Sequence, residues 1–298
     1  MSETTLTTNE SIPTSATSPG RDPAEAIIFL HLPKTAGTTV NRLIEWEYRL
    51  SEMYSVDPVL FDWSSRHLRK LSPARLRKIR MFKGHMTFGL HEVLPQPATY
   101  ITVLRDPVDR VISAFYFMRS YKLHPLYWKM RRENWTLDDF VRRSQRDNVQ
   151  SKIIAGARYE TPCTPEILAR AKENLRHHFS VVGLSERLEE SLALMKLRFG
   201  WKLNSYSSFN VTPSRPKKKD LPKATLDLIH QKNAFDLELY ECGRELFEKA
   251  VAAQPEEVQR IAAELKAARS RAQGSLAATL FNARSAARKA INRVYSAV

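Results

Sequence analysis

The chain is predicted to be α/β, with a mainly parallel central sheet flanked by helices and a helical C-terminal extension. Residues 26–41 and 99–116 each run from a short apolar, β-branched segment through a turn into a helical pattern. Residues 179–199 repeat the arrangement. Strands alternating with helices point to a parallel sheet, because each parallel connection must cross back over it.

Composition bounds the rest. With 298 residues and 43% hydrophobic content, the chain can bury one sizeable core. Residues 1–24 are polar and rich in Thr, Ser and Pro, a composition that suits a disordered lead. They lack an apolar core segment, so no signal peptide or anchor is expected and a cytoplasmic location fits. One domain over residues 25–253 follows, then a basic amphipathic tail over 254–298. The 47 Lys and Arg against 32 Asp and Glu give a net +15, which favours polyanionic ligands, including phosphorylated nucleotides and acidic glycans. Cys163 and Cys242 are too few for a disulfide framework and read as plain thiols.

Ala26 to Leu30 have the length and branching of a core strand, closed by Pro33 and Gly37. Val40, Leu43 and Ile44 then recur at helical spacing, with Thr38 or Thr39 placed as N-cap. A helix N-terminus favours an anion; Lys34 adds a full charge, and Gly37 lets backbone approach it. Walker A is excluded, since Lys34 precedes the glycine. Residues 50–78 read as a helical insertion. The basic run from Arg66 to Arg80 suits a solvated face, with a path for an acidic acceptor as the alternative.

A short strand is expected to end at Lys83. His85, beside Gly84, is the candidate general base, because a histidine near neutrality can take a hydroxyl proton; His91 reads as structural. In the second unit Asp106 suits the N-cap, Pro107 the first helical position, and Val108, Val111, Ile112 and Phe115 an apolar stripe. Arg105 then stands at the strand's carboxyl end and Ser113 two turns into the helix, so Arg105 and Lys34 face one crevice. Tyr121, His124, Tyr127, Trp128 and Trp135 lie among cations and suit either stacking on a ligand or lid packing.

Asp147 to Ser151 offer Asn148 and Gln150 either to a polar acceptor or to the cap of the next helix. Ser185 suits the N-cap of a helix from Arg187 to Phe199. Residues 201–220 form a basic, Pro-rich loop around Arg215, and a helix between Leu221 and Ala253 completes the domain. Residues 256–298 suit one or two helices outside the core: a solvated helix, or a surface for a membrane, a partner or another subunit.

The pair L-P-K-T-A-G-T-T (Leu32–Thr39) and L-R-D-P-V-D-R-V-I-S-A-F (Leu104–Phe115) resembles the two cofactor motifs of sulfotransferases that use 3′-phosphoadenosine 5′-phosphosulfate (PAPS). It is most similar to the carbohydrate O-sulfotransferase branch that includes heparan-sulfate 2-O enzymes and many bacterial relatives, with weaker matches over residues 26–245. The resemblance implies a layout like that of P-loop kinases and makes residues 25–253 a sulfotransferase catalytic domain that needs no metal. It assigns Pro33, Lys34, Thr35, Ala36, Gly37, Thr38 and Thr39 to the 5′-phosphosulfate and Arg105 and Ser113 to the 3′-phosphate. Ser185 would lie by the adenine, and Arg215 would fold over the 3′ side. Gly84-His85 is similar to the step carrying the catalytic histidine of the 2-O enzymes, which often have a second histidine where this chain has Lys83. Lys83, Asn148 and Gln150 are the candidates for acceptor binding. The expected reaction is in-line sulfuryl transfer to a carbohydrate hydroxyl, with Lys34 and His85 catalytic. A nucleotide or small-molecule kinase is the enzymatic alternative, and a polyanion- or membrane-binding protein the non-enzymatic one.

Overall fold

The computed structural model describes residues 25–56, 68–204, 206 and 216–272. Five strands form one parallel sheet: β1 (Ala26–Leu30), β2 (Met53–Val56), β3 (Met81–Gly84), β4 (Ala98–Leu104) and β5 (Phe179–Leu184). Their order is β2-β3-β1-β4-β5. Every residue of β1 is buried, as a central parallel strand covered on both faces requires. The α/β class and the parallel sheet are those expected.

Helix α1 (Gly37–Glu47) buries Val40, Leu43 and Ile44 on the sheet. The stretch read as a helical insertion instead supplies the edge strand β2 before helix α2 (Pro73–Lys78), which Ser72 caps. Four residues are too short for periodicity to announce a strand; pairing with β3 makes it one. β3 runs one residue beyond Lys83, because Gly84 pairs with both Leu30 and Val56. A Cβ there would lie 2.2 Å from the Val56 carbonyl oxygen, and φ is +138°, so only glycine fits.

Helix α3 (Pro107–Ser120) starts as its sequence dictates: the Asp106 carboxylate accepts from the Asp109 amide and Pro107 takes the first position. Its apolar stripe meets α4 (Tyr127–Arg132), α5 (Leu137–Arg143) and Ile229 in a satellite core that also holds Trp135. Helices α6 (Val149–Ile154), α7 (Pro165–His178) and α8 (Leu188–Phe199) follow. Between Leu221 and Ala253 stand two helices rather than one, α9 (Lys223–Lys232) and α10 (Ala234–Ala253), joined at Asn233. Helix α11 (Pro255–Ala272) departs from the expectation of a segment outside the core. Val258, Ile261 and Leu265 recur on one face and are buried in the main core, where α11 packs on α8.

Candidate functional site

In a parallel sheet all carboxyl ends share one edge. Register pairs Leu30 with Gly84 and Leu104 with Leu184, so His31, His85, Arg105 and Ser185 emerge side by side, each the first residue past its strand. All four line one open cleft of about 850 Å³, together with Pro33, Lys34, Ala36 to Thr39 and Ser113. A crevice at strand carboxyl ends is where open α/β sheets bind ligands, and this volume suits a nucleotide-sized molecule.

The turn between β1 and α1 is bent by two left-handed residues, Lys34 (φ 69°) and Ala36 (φ 66°). Such backbone costs about 1–3 kcal/mol per residue and persists where the surroundings fix it. It turns the N-terminal end of α1, Gly37 to Thr39, toward the cleft, where the Thr39 amide already donates to the Ala36 carbonyl at 2.9 Å. Ala36, rather than Thr38 or Thr39, is the N-cap residue, and no side chain caps the helix. Thr35 does not line the cleft; it is buried, and its hydroxyl donates to the Leu32 carbonyl at 2.9 Å. Gly37 serves His31: a Cβ there would fall 1.9 Å from the imidazole.

Sequence reasoning missed His31. Its ring stacks on His85 with centroids 4.1 Å apart. Asn41 Nδ2 donates to His31 Nδ1 at 2.9 Å, which leaves the proton of neutral His31 on Nε2. Burial, then the positive neighbours His85, Lys83 and Lys34, hold its pKa well below the usual histidine value. His85 has the opposite tautomer. Its Nδ1 lies 2.9 Å from the His31 carbonyl, which can only accept, so Nδ1 carries the hydrogen and Nε2 is the basic nitrogen.

Arg105 is fixed at both ends. Its Nη1 donates to the Lys34 carbonyl at 3.0 Å, joining the two turns. Its backbone is gripped by one amide: Arg105 N–H donates to Gln150 Oε1 at 3.0 Å, and Gln150 Nε2 donates to the Arg105 carbonyl at 2.9 Å. Gln150 is therefore occupied with Arg105 and is not poised for an acceptor. Asn148 is occupied too. Its Oδ1 accepts from the Asp236 amide, and its Nδ2 donates to the Lys232 carbonyl. Asp236 in return accepts from the amides of Gln150 and Ser151, so a carboxylate on α10 caps α6. Lys83 also departs from the acceptor role. Its ammonium is buried against Glu45 of α1 at 2.6 Å.

The sequence matches the galactose-3-O-sulfotransferase family over residues 1–291. The chain belongs to that family. It is 27% identical over 282 residues to galactose-3-O-sulfotransferase 3 of Mus musculus, a match covering 85% of this chain and 64% of the relative. It is 23% identical over 243 residues to heparan sulfate 2-O-sulfotransferase hst-2 of Caenorhabditis elegans, covering 72% and 75%. Among solved structures it is similar to mouse sulfotransferase SULT7A1 complexed with PAP, at 15% identity and TM-score 0.38, covering 74% of this chain and 68% of that one.

In this member of the galactose-3-O-sulfotransferase family the cleft has a further wall. Gln259, Ala262, Ala263, Lys266 and Arg269 of α11 line it, although the tail carried no signal for a site. The facing carboxylates in the first turn of α8 are engaged. Arg187 holds Glu190 with two nitrogens, drawing its pKa down, and Arg269 meets Glu189 at 2.8 Å. Ser185 lines the cleft, but α8 starts at Leu188 and Ser185 does not cap it; its hydroxyl donates to Glu186 instead. Lys34 Nζ lies 4.0 Å above the ring of Phe117, a second cleft residue the sequence did not mark. Arg215 lies outside the described residues.

Proposed function

We propose that this protein transfers a sulfuryl group from PAPS to a carbohydrate hydroxyl. The observation that carries the reading is the single cleft in which Lys34, the α1 N-terminus, His85, Arg105 and Ser113 converge. Family membership supports the same chemistry, and the names of the relatives, galactose-3-O- and heparan sulfate 2-O-sulfotransferases, support a carbohydrate acceptor. PAPS, when bound, supplies the sulfuryl group on a leaving nucleotide.

The residues divide the work. Lys34 and the first amides of α1 offset negative charge at the 5′-phosphate, a preorganised electrostatic contribution. Arg105 and Ser113 hold the 3′-phosphate, and with it the orientation of the nucleotide. His85 takes the acceptor's hydroxyl proton at Nε2, because its Nδ1–H is committed to the His31 carbonyl. Gln150 and Asn148 act on the site through the Arg105 backbone and the α9–α10 junction.

Calorimetry with adenosine 3′,5′-bisphosphate, adenosine 5′-phosphate and ATP tests the reading. The bisphosphate is expected to bind best, and Arg105→Ala to weaken it by about tenfold or more, the worth of a charge-assisted hydrogen bond. Preference for ATP would overturn the sulfotransferase assignment in favour of a kinase.

A further inference from the structure

The segment Arg119–Arg132, from the end of α3 through α4, carries five cations (Arg119, Lys122, Lys129, Arg131, Arg132) and no carboxylate. All five are exposed. Among the described residues five large hydrophobic side chains are exposed, and three of them lie here: Leu123 (81%), Trp128 (70%) and Tyr121 (43%). An apolar side chain left this open gains nothing from folding, and three within eight residues form a patch rather than scatter.

The patch is held in shape. Tyr127 and Met130 are buried beneath it, and the Leu126 amide donates to His124 Nδ1 at 3.1 Å. The next acid, Glu133, is engaged by Trp135, Arg132 and Arg143. None of Tyr121, Leu123 and Trp128 lines the cleft, so a ligand there does not account for them. Their base nevertheless adjoins it: Phe117, which lines the cleft, stacks on Tyr121 with centroids 5.3 Å apart.

We propose that this segment docks the protein on an anionic phospholipid bilayer. Lys and Arg are attracted to anionic headgroups, Trp and Tyr favour the interface, and Leu enters the acyl boundary. Charge complementarity selects this occupant over a neutral surface. The contact is peripheral, since among the described residues no helix is long and apolar enough to cross a membrane. It places the entrance of the cleft, one helical turn from Tyr121, close to the bilayer. The inference does not rest on the sulfotransferase reading.

Co-sedimentation of the full chain with vesicles tests it, comparing equimolar phosphatidylglycerol and phosphatidylcholine with phosphatidylcholine alone. Binding is expected to the anionic vesicles only. The double variant Leu123→Ser, Trp128→Ser is expected to bind at least about tenfold more weakly, having lost the side chains that insert. Lys122→Glu with Lys129→Glu should weaken binding and reduce its salt dependence. Unchanged thermal unfolding would establish that the variants are folded. Absence of binding by the wild type, equal binding to neutral vesicles, or binding that survives the Leu123 and Trp128 substitutions would each overturn the proposal.

Discussion

His31 and His85 stack face to face, yet their hydrogen bonds leave opposite nitrogens protonated. Asn41 fixes the first and the His31 carbonyl fixes the second. A further full charge beside Lys34 and Lys83 would be costly, and burial keeps His31 neutral. The chemical consequence falls on His85: with a neutral neighbour and its Nδ1–H committed, its Nε2 is a base. His85→Ala is expected to lower kcat by about 10²–10⁴ while bisphosphate affinity holds; near-normal turnover in a coupled sulfate-transfer assay would move the base elsewhere. His31 has its own signature. Its folded pKa lies below 6.5, so from that value downward the unfolded chain binds more protons, and stability is lost as pH falls toward the folded pKa. The slope from one such group is up to about 1.4 kcal/mol per pH unit. His91 and His124, the latter at about 4, are depressed by burial too and add to the wild-type slope. In urea unfolding at pH 7 and pH 5, His31→Gln should remove only its own share. An unchanged slope would show that His31 is not held neutral.

At the level of elements, the site is set by a relay that runs from α10 to the turn after β1. Asp236 caps α6, Gln150 at the start of α6 grips the Arg105 backbone, and the Arg105 guanidinium reaches the Lys34 carbonyl. Gln150→Ala strips a partner from both the amide and the carbonyl of Arg105, at a cost of about 1–3 kcal/mol in stability. Bisphosphate affinity should fall with it, because the guanidinium loses its fixed base. Chemical denaturation and calorimetry on one preparation check both, and unaltered affinity would confine Gln150 to folding. The relay also marks where the sequence was legible. The β1–α1 and β4–α3 units could be read because an apolar run, a turn and a capping residue are all local signals. Lys34, Arg105 and Ser113 followed from their places in those units, and His85 from the short strand and glycine before it. What escaped depends on distant partners. Gln150 and Asp236 are 86 positions apart, and Lys83 meets Glu45 across 38, so neither amide nor ammonium announced its commitment. A charged residue on a short strand reads as solvated until a second charge is brought against it.

For the whole molecule, the decisive fact is that α11 closes both the core and the cleft. Read alone, its Ala- and Arg-rich sequence is a helix with a narrow apolar stripe, and nothing local says whether that stripe is buried. Packing on α8 settles it: Val258, Ile261 and Leu265 join the main core, while Lys266 and Arg269 on the neighbouring positions line the cleft. One helix thus couples folding of the C-terminal segment to completion of the cleft. The two contributions separate by substitution. Leu265→Ala removes buried methyl groups and should cost about 2–4 kcal/mol of stability, with bisphosphate affinity retained at temperatures where the protein is folded. Lys266→Ala should leave the melting temperature close to wild type and weaken an anionic ligand. A chain ending at Gln254 loses both and leaves the α8 face uncovered, so cooperative unfolding at the wild-type temperature by that chain would contradict the packing of α11 and, with it, the cleft wall.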